Sequence, residues 1–220
     1  MAVVVTTGWA GPLSGKLGNA VFVRTAHGTV LRERPDGSSG KSPLQLASEA
    51  RIARASRAFR ELTREEGKAW STFGQTVAEA HPRTGRVVAL SGQQAFNRLA
   101  TKLLQIDPQA VLPHAPPTAP FFGDGLRVTV EALSNGIAFA SDAANRNGVL
   151  TELLLQPLAS QHRRTYLQRY RSQAFIHFSG SSLQVAVPCG PGWYAIAVRF
   201  VEAASGRATA EIELGVLHVG

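Results

Sequence analysis

The chain has 220 residues, with 23 Lys and Arg against 15 Asp and Glu for a formal net charge of +8, and 44% of its residues are hydrophobic. That length suits one large or two small domains with a real core. The single cysteine, Cys189, excludes an internal disulfide and every thiolate zinc cluster, and no run approaches the roughly 18 apolar residues a bilayer span needs.

The charge is uneven. Residues 1–120 hold 15 Lys and Arg against 8 Asp and Glu, whereas residues 121–220 hold 8 against 7. A basic first part concentrates anionic partners: nucleic acid, a lipid surface or an acidic protein face. The opening MAVVVTTGWAGPLSGK has no basic stretch ahead of its short apolar run, which predicts a chain made and kept in the cytoplasm, or released by lysis.

The β-prone runs 20–24 and 29–34 flank Ala26-His27-Gly28, which predicts a β-hairpin. Gly11, Pro12, Gly15, Gly18 and Asn19 precede it and predict an irregular lead-in of turns. Residues 1–41 therefore read as an arm that packs onto a neighbour, with Gly15, Lys16, Gly18, Asn19 and Phe22 as its assembly residues. Residues 35–42 (PDGSSGKS) lie between a strand and a helix, as a phosphate-binding loop would. That pattern needs glycine where Pro35 stands, and Pro43 follows at once.

Ser42-Pro43-Leu44-Gln45 is a helix start: a serine N-cap, proline at the first helical position and glutamine to complete a capping box. The helix runs to about residue 61, with Ala55, Phe59, Leu62, Leu44 and Ile52 on its apolar side. Thr63-Arg64-Glu65-Glu66 repeats the capping pattern and opens a second helix through Trp70, Phe73 and Val77, giving an αα-hairpin. A third helix, 92–106, carries Phe96, Leu99, Leu103 and Leu104 at the same period.

On the first helix Arg51, Arg54, Arg57 and Arg60 recur every third residue and fan over the half opposite Phe59. They read as a solvated face or as a contact for phosphates or an acidic partner, whose geometry guanidinium forks match. The segment SRAFRELTREEGKAW resembles the junction of the second and third helices of HMG boxes over about fifteen residues. That resemblance implies DNA binding, the alternative reading of the helical module.

Residues 107–120 (DPQAVLPHAPPTAP) hold five of the twelve prolines and predict a semi-rigid spacer between residues 42–106 and 121–220. Beyond it seven β-prone runs recur: 126–133, 137–140, 149–156, 174–178, 183–187, 193–201 and 208–219. In WYAIAVRFV, Tyr194, Ile196, Val198 and Phe200 share one face, and residues 203–206 turn the chain back. Seven strands in this length predict an antiparallel β-sandwich.

This stretch resembles a fibronectin type III-like or immunoglobulin-like domain, in which a tyrosine opens the penultimate strand. It departs from that pattern at residues 158–171 (LASQHRRTYLQRYR), longer and more basic than a plain strand connection. Over its whole length the chain resembles a family of bacterial and prophage-type proteins. They share the Gly15-Lys16-Leu17-Gly18-Asn19 arm, the hairpin, the Arg-rich helix before an L-T-x-E-E…W turn, and a Pro-linked sandwich. The resemblance implies a phage-type structural or accessory protein.

No local pattern supports catalysis. The histidines, at 27, 81, 114, 162, 177 and 218, form no H-x-x-x-H pair, and residues 179–182 lack the G-x-S-x-G elbow. Cys189, in VPCGPGW, reads as a small buried hydrophobe at a strand end. The fold class expected is α+β: arm, helical module, then β-sandwich. The function expected is a non-enzymatic structural protein, without cofactor, metal, small-molecule substrate or membrane. Such a protein self-assembles or docks with other subunits into a phage-like virion or particle. The alternatives are a nucleic-acid-binding protein using the Arg face and an extracellular filament subunit.

Overall fold

Local chemistry sets where the helices begin. The computed structural model describes residues 2–4, 15–25, 28–33, 40–80, 87–166 and 169–220. Helix α1 (Pro43–Glu61) starts where the Gln45 N–H donates to Ser42 Oγ over 3.2 Å. Helix α2 (Arg64–Thr76) opens on a full capping box, the Glu66 N–H donating to Thr63 Oγ1 and the Thr63 N–H to Glu66 Oε2 at 2.7 Å. Helix α3 (Gly92–Ile106) does the same with Ser91 and Gln94.

The chain forms two compact units, Met1–Ala47 and Ser48–Gly220, with the boundary inside α1. In the first, strands β1 (Ala2–Val4), β2 (Gly15–Leu17), β3 (Ala20–Thr25) and β4 (Gly28–Glu33) make an antiparallel sheet in the order β1-β4-β3-β2. The expected hairpin is β3–β4, with Thr25 paired to Gly28. The expected irregular lead-in is instead partly a strand: Gly15 pairs with Phe22 and Lys16 with Val21. Gly18, at φ +56°, turns the chain beside Asn19, so the backbone groups of residues 15–17 find partners in β3. Gly11, Pro12, Ala26, His27 and residues 34–39, where the other turn and most of the phosphate-loop pattern fall, lie outside the described residues.

In the second unit the helices build one apolar cluster from Ala55, Trp70, Ala95, Phe96, Leu99 and Ala100, flanked by Phe59, Leu62, Phe73 and Leu112. Trp70 meets Phe73 and Phe96 edge-on, at ring-centroid distances of 5.7 and 5.0 Å. Leu44 and Ile52 depart from the expected apolar side and stand 71% and 52% exposed. Helical period fixes the angle of Ile52 on α1 but not whether another helix covers it. Strands β5 (Ala78–Ala80) and β6 (Val87–Ala89) pair between α2 and α3.

Seven strands follow: β7 (Val128–Leu133), β8 (Gly136–Ser141), β9 (Val149–Leu158), β10 (Arg171–Ile176), β11 (Gln184–Pro188), β12 (Gly192–Glu202) and β13 (Ile212–Val219). They form a sheet in the order β11-β8-β7 and another in the order β10-β9-β12-β13. Alternate residues of both meet in one core that includes Val128, Ile137, Phe139, Leu153, Leu155, Val187, Ile196 and Val198. With antiparallel sheets and three helices among the described residues, the fold is α+β. None of the described helices is long and apolar enough to cross a membrane.

Candidate functional site

The outward face of β9 and β12 should be polar if the strands obey simple alternation. It is buried: Leu154, Gln156, Ala195, Ala197 and Val201 are all at most 3% exposed. Helix α3 comes against this face through Lys102, which reaches Glu152 of β9, and just beyond β12 a Cβ added to Gly206 would lie 2.4 Å from the Leu99 carbonyl oxygen. In the same face sits Glu152, fully buried, directly opposite Arg199 in the ladder.

Lys102 of α3 donates to both oxygens of Glu152, at 2.9 and 3.0 Å. Arg199 Nε donates to Oε2 at 2.6 Å and Nη2 to Oε1 at 3.2 Å, while Nη1 reaches Glu211 at 2.9 Å. Burial alone would raise the Glu152 carboxyl, but the Arg199 hydrogen bonds and the two nearby positive charges outweigh it and hold the group below the usual carboxylate range. Burial pushes the Lys102 ammonium down despite the pull of Glu152, and the positive charge of Arg199 adds to the lowering. Both Glu152 oxygens are engaged by cations, so the arrangement fastens helix to sheet and suits an ionised anchor rather than a proton donor.

Residues 107–120 are laid along the folded body and do not hold the helices away from the sheets. The Trp70 indole donates to the His114 carbonyl at 2.9 Å, Leu112 packs on the helical cluster, and Arg207 donates to the Ala119 carbonyl. Proline leaves carbonyls without ladder partners, and side-chain donors from both halves take them up. The Arg face is divided by the same contacts. Arg54 donates to the carbonyls of Pro108 and, at 3.0 Å, Ala110. Arg51 turns to Ser48 Oγ at 3.0 Å and Arg60 to the Ser56 carbonyl, while Arg57 and Arg60 stand exposed.

The arm residues Gly15, Lys16, Gly18, Asn19 and Phe22 come together on β2, its turn and β3. Cys189, half-buried beyond β11, packs beside the sandwich core, and burial raises its thiol. Among the described residues no group of three His, Cys, Asp or Glu is placed to hold a metal ion. Lys102, Glu152 and Arg199 escaped the sequence reading because 50 and 47 residues separate the partners. One signal was present: Leu153, Leu154 and Leu155 follow one another in β9 and so put apolar side chains on both faces, the mark of a strand covered on both sides. No protein-family model, curated protein or solved structure matches the chain.

Proposed function

We propose that this chain is a non-enzymatic structural subunit of a larger, phage-type particle, in which Ser48–Gly220 is a rigid body and the N-terminal sheet is the assembly element. The observation that carries the reading is the sheet order β1-β4-β3-β2 in a unit of its own, with β1 and β2 as edge strands. Edge strands present main-chain donors and acceptors to a neighbour's sheet. Among its described side chains Thr29 and Val30 are buried and the others are partly or fully exposed.

The sandwich in this reading is of fibronectin type III kind. Two features support it: sheets of three and four strands ordered β11-β8-β7 and β10-β9-β12-β13, and the Tyr194 hydroxyl donating to the Gly190 carbonyl at 3.0 Å. Such domains mostly bind or space, in keeping with a docking body. The protein is made in the cytoplasm and ends in the particle. Deleting residues 1–34 is expected to abolish large species in light scattering while near-UV circular dichroism of the body persists. Unchanged assembly would overturn the arm's role.

A further inference from the structure

The connection between β9 and β10 is long and basic, and its described residues make several contacts with the strands. No Asp or Glu occurs between Glu152 and Glu202 in the sequence, while Arg163, Arg164, Arg169 and Arg171 fall within nine positions. All four are exposed, and none pairs with a described carboxylate at salt-bridge distance. Four guanidinium groups within nine positions outnumber Glu213, the carboxylate that Thr165 and Tyr170 reach, and a polyanion relieves the excess positive charge.

The cluster is anchored from below. The Tyr166 N–H donates to Oε1 of Gln156, a side chain only 3% exposed, at 3.1 Å. Thr165 and Tyr170 hydroxyls both reach Glu213 Oε1 at 3.4 Å, and the Arg169 N–H closes a turn onto the Tyr166 carbonyl at 2.9 Å. The Tyr166 ring, 44% exposed, carries the guanidinium groups of Arg164 and Arg169 at 5.7 and 5.0 Å from its centroid. The ring thus gathers two guanidinium groups within about 6 Å of its centroid, on exposed side chains at the surface.

We propose that Arg163, Arg164, Tyr166, Arg169 and Arg171 form a binding site for single-stranded nucleic acid, the arginines taking phosphates and the Tyr166–arginine stack taking a base. A single strand suits this site better than a duplex, because planar groups at a surface stack only on bases that are unpaired. It suits it better than an acidic peptide, because carboxylates use the charge and leave the aromatic face without a role. The site is distinct from the Arg face of α1, where Arg54 is committed to backbone carbonyls.

The test is fluorescence anisotropy of a labelled oligothymidylate of about 20 nucleotides against the full chain, from low to high salt. Four neutralised phosphates give a slope of log K on log salt of about −3 for a single strand. Arg164→Ala with Arg169→Ala is expected to weaken binding at least about tenfold and to halve that slope. Tyr166→Phe is expected to bind as wild type and Tyr166→Ala several-fold more weakly, while Arg57→Glu with Arg60→Glu changes little. Arg163→Ala with Arg171→Ala, further from the ring, provides a second test if the first pair loses its fold. The proposal fails if wild type shows no saturable binding at low salt, or if the loop variants bind unchanged. Equal or tighter binding of duplex or of polyglutamate overturns it as well.

Discussion

Replacing Glu152 by glutamine keeps the size of a fully buried side chain but leaves Lys102 and Arg199 facing a neutral amide. Four hydrogen bonds of 2.6 to 3.2 Å end on this carboxylate, and Lys102 and Arg199 are only 15% and 21% exposed, so water cannot fully replace it. Removing one partner of such a buried group costs about 3–5 kcal/mol. At about 2–4 °C per kcal/mol for a unit of this size, Tm should fall by roughly 6–20 °C. Thermal and urea unfolding, followed by circular dichroism, measure it. A loss under about 1 kcal/mol, as at an exposed pair, would refute the reasoning.

The same variant has a pH signature. Folding holds the Glu152 carboxyl below its ordinary value of 4.5, so its share of stability is full above that value. It drains as the pH falls through the lower, folded value, and Glu152→Gln should remove this acid-dependent share. Replacing all three members together, Lys102→Met, Glu152→Leu and Arg199→Met, should cost less than the single change, because no fully buried charge is then stranded and Glu211, which loses Arg199, is 23% exposed and keeps access to water.

Gly206 stands at φ +74° with the Leu99 carbonyl where a Cβ would go, so Gly206→Ala should cost about 2–3 kcal/mol in urea unfolding. Tyr194→Phe deletes the donor to the Gly190 carbonyl and should lower the urea midpoint by about 1 kcal/mol of stability with an unchanged m-value. Trp70→Phe keeps the aromatic packing but frees the His114 carbonyl. It should cost about 1–2 kcal/mol and open residues 107–120 to proteinase K, read by mass spectrometry of the fragments.

What was legible in the sequence is what neighbours decide. A hydroxyl three residues ahead of a Glu or Gln sets a helix start whatever lies elsewhere, so α2 begins where Thr63 and Glu66 place it. Alternation likewise locates all seven strands of the second half, with ends displaced by a few residues. The partner of each surface was not legible. Leu44 and Leu99 both sit on apolar helical stripes, yet one is solvent-exposed and the other buried, because only distant chain decides which stripe is covered. Arg54 shows the same limit: its spacing with Arg51, Arg57 and Arg60 predicts a shared face, but carbonyls 54 and 56 residues away claim it alone. Proline content predicts that residues 107–120 are neither helix nor sheet. Whether they span a gap or lie on a surface depends on the indole and guanidinium donors waiting for them.

The joint between α3 and the sandwich also bears on how the chain is born. Lys102 is translated well before Glu152 and Arg199, and Leu103 and Leu104, 4% and 2% exposed once folded, accompany it out of the ribosome. At roughly 5–20 residues per second, about 5–20 s pass before β12 is complete. Throughout that interval an apolar helix flank and an ammonium group await strands not yet made.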